Sequence, residues 1–145
     1  MEASLRFYMD VFGMERLPSP NFSTHVEWLR VGEQQLHLFK SESSAPRSHH
    51  FALDVDDFEA AYLKAKGLEL LDDETFGAAV RELPDGAVQM YIRDPAGNLV
   101  EVNWPAVSTL DRSVITNIRR VADERPQSGE AASARLYHMA GKALH

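Results

Sequence analysis

Residues 3–17, ASLRFYMDVFGMERL, and residues 57–71, DFEAAYLKAKGLELL, align without a gap 54 positions apart, placing Tyr8 on Tyr62, Gly13 on Gly67 and Glu15 on Glu69. Self-similarity at a fixed period is the mark of two like supersecondary modules. In the second copy a strand-like run, HHFALDV at 49–55, leads into the helix; in the first copy the equivalent residues would fall before Met1. The first module therefore opens at its helix, without the strand that its twin carries.

Both helices are readable from their spacing. Over 2–12, Leu5, Tyr8, Met9 and Phe12 recur at helical intervals, and Gly13 stands where a left-handed cap is wanted. In the second copy Asp56 with Glu59 reads as a capping box, Phe58, Ala61, Tyr62 and Ala65 form the buried stripe, and Gly67 closes the helix. Strand-like runs follow each helix: 15–17, 25–31 and 34–40 after the first; 69–71, 79–82 continuing to 88–93, and 99–104 after the second. Turn residues separate them, namely Pro18 with Pro20, Gly32-Glu33, PDG at 84–86 and DPAGN at 94–98. The expected fold is α+β, with two βαβββ modules: a truncated module one over 1–41 and module two over 48–105.

Beyond residue 105 the composition shifts to Ser, Arg, Ala and Gln. An amphipathic helix over 108–124 would bury Leu110, Val114, Ile118 and Val121, and PQSG at 126–129 would break it. The remaining tail to residue 145 reads as packing material or an oligomer contact, with His138 and His145 on the surface.

Composition narrows the function. The chain has 145 residues, 44% of them hydrophobic, enough for one compact core shared by two small modules. A formal net charge of −7 argues against nucleic-acid or anionic-membrane partners, which need clustered Lys and Arg. With no long apolar run and no basic-then-apolar leader, a cytoplasmic location is the expectation. There is no cysteine, so any metal must be held by His, Asp or Glu.

Strand alternation then selects the chemistry-bearing face. In 34–40, Leu36 and Leu38 face the core, leaving Gln35, His37 and Phe39 opposite. In 99–104, Val100, Val102 and Trp104 take the core side, leaving Leu99, Glu101 and Asn103 opposite. His50 projects with Ala52 and Asp54, away from Phe51, Leu53 and Val55. His37, His50 and Glu101 can thus converge, and two imidazoles with one carboxylate suit Fe, Mn, Ni, Co or Zn. Tyr91 and Arg93 alternate with Met90 and Ile92 and can line the same surface, Arg93 offering a fork for a carboxylate or phosphate. Trp28 reads either as a pocket wall or as core, and His49 as structural.

SLRFYMDVFGME, QLHLF, HHFALDVDD and, most specifically, DPAGNLVEV resemble the vicinal oxygen chelate superfamily, the glyoxalase, bleomycin-resistance and extradiol-dioxygenase group. The resemblance covers about residues 1–105. It implies a curved mixed-sheet cup around a divalent metal, with ligands on the first and last strand of each module. On that pattern His50 and Glu101 match the two ligand positions of module two, His37 matches the last-strand position of module one, and the fourth position has no counterpart here.

The resemblance implies a metal-dependent lyase or isomerase that acts on a small molecule with vicinal oxygens by stabilising an enediolate. Glu101 would double as the catalytic base. Two alternatives remain open, an extradiol ring-cleaving dioxygenase using Fe(II) and a metal-free drug-sequestering protein of the bleomycin-resistance kind. A homodimer is expected, because an edge left without its strand invites pairing with another chain.

Overall fold

The structure is a computed structural model, and it describes residues 1–137. Helix α1 (Glu2–Phe12) is followed by three antiparallel strands, β1 (Glu15–Leu17), β2 (Val26–Val31) and β3 (Gln34–Phe39), in the order β1-β2-β3. Strand β4 (His50–Asp54), helix α2 (Phe58–Gly67) and strands β5 (Val80–Glu82), β6 (Val88–Arg93) and β7 (Leu99–Trp104) make the second module. A further strand, β8 (Ile118–Arg120), joins it, and the order across this sheet is β4-β7-β6-β5-β8. Pairing of β4 with β7 is parallel and puts Ala52 opposite Glu101. The expected α+β architecture of repeated modules is the one observed.

The core lies between the two helices and the helix-facing sides of the sheets. Tyr8, Phe58, Met90, Ile92, Val100 and Val102 are fully buried there. Alternation in β7 behaves as expected for Val100 and Val102, yet Leu99, Glu101 and Asn103 on its other face are buried too. That face is therefore covered rather than open to water along its whole length.

Several local expectations are corrected. The buried stripe of α1 is Leu5, Phe7, Tyr8 and Val11, while Met9 stays 38% exposed, because the helix also packs its Phe7 edge on Tyr8 and Phe12. Gly13 does adopt the left-handed cap, φ 65, its N–H bonded to the Met9 carbonyl. The N-cap of α2 is Asp57, whose carboxylate accepts from the Ala60 amide; Glu59 instead accepts from the Asp111 amide. Gly67 ends α2 without the left-handed turn, which falls on Glu69 at φ 57. Run 69–71 supplies only a bridge from Leu71 to Ile92.

The largest correction concerns 108–124, of which only the final turn, α3 (Val121–Glu124), is α-helical. Asp111 instead accepts from the Ser113 amide and hydroxyl, a local alternative that competes with helix. Leu110 and Ile115 reach the core, and Ile118, β-branched, pairs with the open edge of β5. A last short helix, α4 (Glu130–Ser133), precedes residues 134–137. His138 and His145 lie outside the described residues.

The DPAGN turn that leads into β7 is built around the Asp94 carboxylate. Asp94 accepts from the Ala96 and Asn98 amides and the Asn98 side chain, all at 2.9 Å, and Gly97 takes the left-handed conformation at φ 87. A fourth donor is the Tyr8 hydroxyl at 3.0 Å, which ties α1 to the entry of β7 across 86 residues. Burial, then the neighbouring Asp94, push the Tyr8 phenol far above its ordinary pKa and keep it a neutral donor. Tyr8→Phe should lower the unfolding free energy by about 2 kcal/mol in urea titrations, the usual size for a hydrogen bond to a charged acceptor. A change below about 0.5 kcal/mol would mean that the bond does not anchor the turn.

Candidate metal and substrate site

The parallel register of β4 and β7 brings two of the expected residues together. His50 Nε2 lies 3.3 Å from Glu101 Oε2. His50 Nδ1 is 2.8 Å from the Ser48 carbonyl oxygen, which can only accept, so Nδ1 carries a hydrogen and Nε2 is the ring nitrogen turned to the carboxylate. Nε2 meets the carboxylate either through a proton of its own or through an ion that both hold. An N···O distance near 3.3 Å is also what two ligands of one divalent ion show when each bond is about 2.1 Å. A carbonyl holding the other ring nitrogen is the support that metal-bound histidines characteristically have.

Glu101 is 6% exposed and well supported. Its Oε1 accepts from Gln89 Nε2 at 2.8 Å, and Gln89 Oε1 in turn accepts from the Tyr91 hydroxyl at 3.2 Å. Burial and then Glu101 push the Tyr91 phenol well above its ordinary pKa, so Tyr91 stays a proton-bearing donor beside the carboxylate. Phe76, in the loop between α2 and β5, packs against both Tyr91 and His50, with ring centroids 4.7 and 5.8 Å away, and walls this end of the face.

His37 is placed differently. It is on the edge strand β3 of the other sheet, stacked on Trp28 with centroids 4.5 Å apart and planes 7° from parallel. Its Nε2 is 2.9 Å from Gln35 Oε1. His37 and His50 line one cavity of about 480 Å³, bounded by α1, β3, β4 and the turn before β7. Among the described residues no three His, Asp or Glu side chains stand close enough to share an ion.

Arg93 is engaged at the rim. Its Nε donates to Asp72 Oδ2 at 2.6 Å, Nη1 to the Gly97 carbonyl at 3.0 Å, and Nη2 to the Arg47 carbonyl and the Thr75 hydroxyl, both at 2.7 Å. Four bonds leave little of the guanidinium for a ligand anion. Arg93 instead fastens the loop before β4 and the loop after α2 to the DPAGN turn.

The sequence model of the Glyoxalase/Bleomycin resistance protein/Dioxygenase superfamily matches residues 1–102. The chain belongs to this superfamily. Among its relatives is an uncharacterized protein, YwbC, of Bacillus subtilis, 30% identical over 113 residues that make up 70% of this chain and 86% of YwbC. Among solved structures, a lactoylglutathione lyase from Agrobacterium tumefaciens is 28% identical, with a TM-score of 0.51 over 70% of this chain and 83% of that one. A fosfomycin resistance protein, FosX, from Listeria monocytogenes, in complex with Mn(II) and sulfate, shares the fold at 12% identity. Its TM-score is 0.56, over 74% of this chain and 85% of that one.

Several residues around this candidate site escaped the sequence reading. Gln89 was readable, since it alternates with Tyr91 and Arg93 on β6. Phe76 and Ser48 were not, because loop residues carry no periodicity that places them. Nor was Tyr137, whose hydroxyl donates to Asp54 Oδ1 at 2.6 Å across 83 residues. No helix among the described residues is long and apolar enough to cross a membrane.

Proposed function

We propose that the protein is a divalent-metal-dependent enzyme of the glyoxalase kind, acting on a small molecule with adjacent oxygens, with His50 and Glu101 as the metal-holding pair. The observation that carries this reading is the approach of His50 Nε2 to Glu101 Oε2 at 3.3 Å while Nδ1 is fixed by a carbonyl. A divalent ion bound there would supply Lewis-acid stabilisation of negative charge developing on the substrate oxygens.

The chain's own residues have distinct tasks. Gln89 holds Glu101 Oε1, so that Oε2 keeps one orientation toward His50. Glu101 is the base that takes a proton from the substrate carbon next to the oxygens. Tyr91, neutral and donating to Gln89 Oε1, holds the Gln89 amide that orients Glu101. Phe76 packs edge-on against His50 and gives the pair an apolar wall on one side. The identity with a lactoylglutathione lyase supports the lyase or isomerase reading over ring cleavage.

The test is turnover of α-keto aldehydes with a thiol, and of catechols with oxygen, by protein loaded with Mn, Fe, Co, Ni or Zn. Metal-dependent isomerisation that disappears in Glu101→Gln supports the proposal. Ring cleavage alone would move it to the dioxygenase branch, and tight metal-independent binding of a drug-like aromatic without turnover would replace it with sequestration. A homodimer belongs to the same proposal, and a monomer in sedimentation at micromolar concentration would remove that part.

A further inference from the structure

The face that carries His50 and Glu101 continues along both strands to a second group of polar atoms. Asp54 on β4 is opposite Asn103 on β7, two residues beyond the pairing of Ala52 with Glu101. In a parallel ladder such partners share a face, so Asn103 lies about 7 Å along the sheet from Glu101. Asn103 is 8% exposed, and its side-chain carbonyl oxygen is buried with no hydrogen-bond partner among the described residues. An orphaned buried acceptor is costly and uncommon in a native fold unless something else satisfies it.

Tyr137, close to the end of the described chain, reaches this group. Its hydroxyl donates to Asp54 Oδ1, and the preceding amide, Leu136 N–H, donates to Asp85 Oδ2 at 2.8 Å, so residues 136–137 are fastened over the end of the sheet. Among the described residues Asp54 Oδ2 accepts no hydrogen bond and no Lys or Arg pairs with Asp54. Burial, then Asp54 and Glu101, hold the Tyr137 phenol above its ordinary pKa, which places it in the field of both carboxylates.

We propose that Asn103, Asp54 and Tyr137 form a subsite for an ammonium group on the substrate, at the end of the site remote from His50 and Glu101. The chemistry selects the class. Two adjacent acceptors, one of them a carboxylate without a cation, match a donor-only positive group. An anionic or purely apolar substituent would leave the Asn103 carbonyl unsatisfied and meet like charge. Tyr137 is a positioning residue, holding Asp54 in one rotamer and closing the segment over the bound group. This inference rests on the metal-holding pair proposed above for the placement of the reacting oxygens.

Two probes that differ only in the group concerned make the test. Dopamine and 4-ethylcatechol carry the same adjacent oxygens, and only dopamine has an ammonium at the end of its arm. Calorimetric titration of the Mn(II)-loaded protein under anaerobic conditions should give at least about tenfold tighter binding of dopamine, the size of one charge-assisted hydrogen bond. Asp54→Asn and Asn103→Leu should bring the ratio near one, and Tyr137→Phe should cut it severalfold, while 4-ethylcatechol binding changes little. Equal affinity of the two catechols in the unmodified protein, or binding of neither, overturns the subsite. A separate Mn(II) titration distinguishes the failures, because loss of Mn(II) binding counts against the metal-holding pair, and retained Mn(II) binding with no dopamine preference counts against the subsite alone.

Discussion

Arg93→Met is expected to lower the unfolding free energy by about 3 kcal/mol or more, the range seen when one partner of a buried ion pair is removed. Methionine keeps much of the volume and removes the charge. Asp72, whose side chain is 3% exposed, would then face no cation, and the Thr75 hydroxyl, Gly97 carbonyl and Arg47 carbonyl would each lose a donor. Urea unfolding monitored by circular dichroism measures the change, and a loss under about 1 kcal/mol would show that the rim network is not a structural clamp. The same network fixes a pH dependence. Burial acts to raise the Asp72 pKa, but the Thr75 amide, Arg93 and the Thr75 hydroxyl together outweigh it and hold the carboxyl below its usual range. In the unfolded chain the group titrates near about 3.9, so its contribution is complete above that pH and is lost as pH falls through the lower folded value. Asp72→Asn should therefore flatten the acid limb of the stability profile, and an unchanged limb would contradict the assignment.

Glu101→Ala should weaken Mn(II) binding by about a hundredfold or more, because it removes one of the two ligands proposed above and leaves His50 alone. Gln89→Ala should cost about tenfold, the lower end for residues that orient a ligand through a hydrogen bond. The graded pair is informative because Gln89 touches no ion in the proposed site and acts only through the Glu101 carboxylate. Isothermal titration gives both numbers, and equal, small losses in the two variants would indicate that Mn(II) binds elsewhere.

The repeat made the module plan legible, since two copies of one pattern constrain each other more than either does alone. Alternation in β3 and β4 also leaves His37 and His50 on the exposed face of each strand, opposite half-buried Leu36, Leu38, Phe51 and Leu53. What alternation does not carry is the relation between sheets. His50 and Glu101 meet because β4 and β7 are hydrogen-bonded neighbours, whereas His37 is on a strand of the other sheet, where Trp28 offers its ring a stacking surface. Arg93 illustrates a second limit, because the loops that engage it have no pattern by which sequence could forecast their course. The segment after residue 105 shows a third: helical periodicity at Leu110, Val114, Ile118 and Val121 was real, but capping by Asp111 and an open strand edge at β5 outweighed it.

Electron spin echo modulation of Mn(II) added to the protein tests most directly whether His50 and Glu101 hold the metal. The account predicts nitrogen coupling from one imidazole, retained in His37→Ala and abolished in His50→Ala. Coupling that survives His50→Ala, or no nitrogen coupling in the unmodified protein, would contradict it.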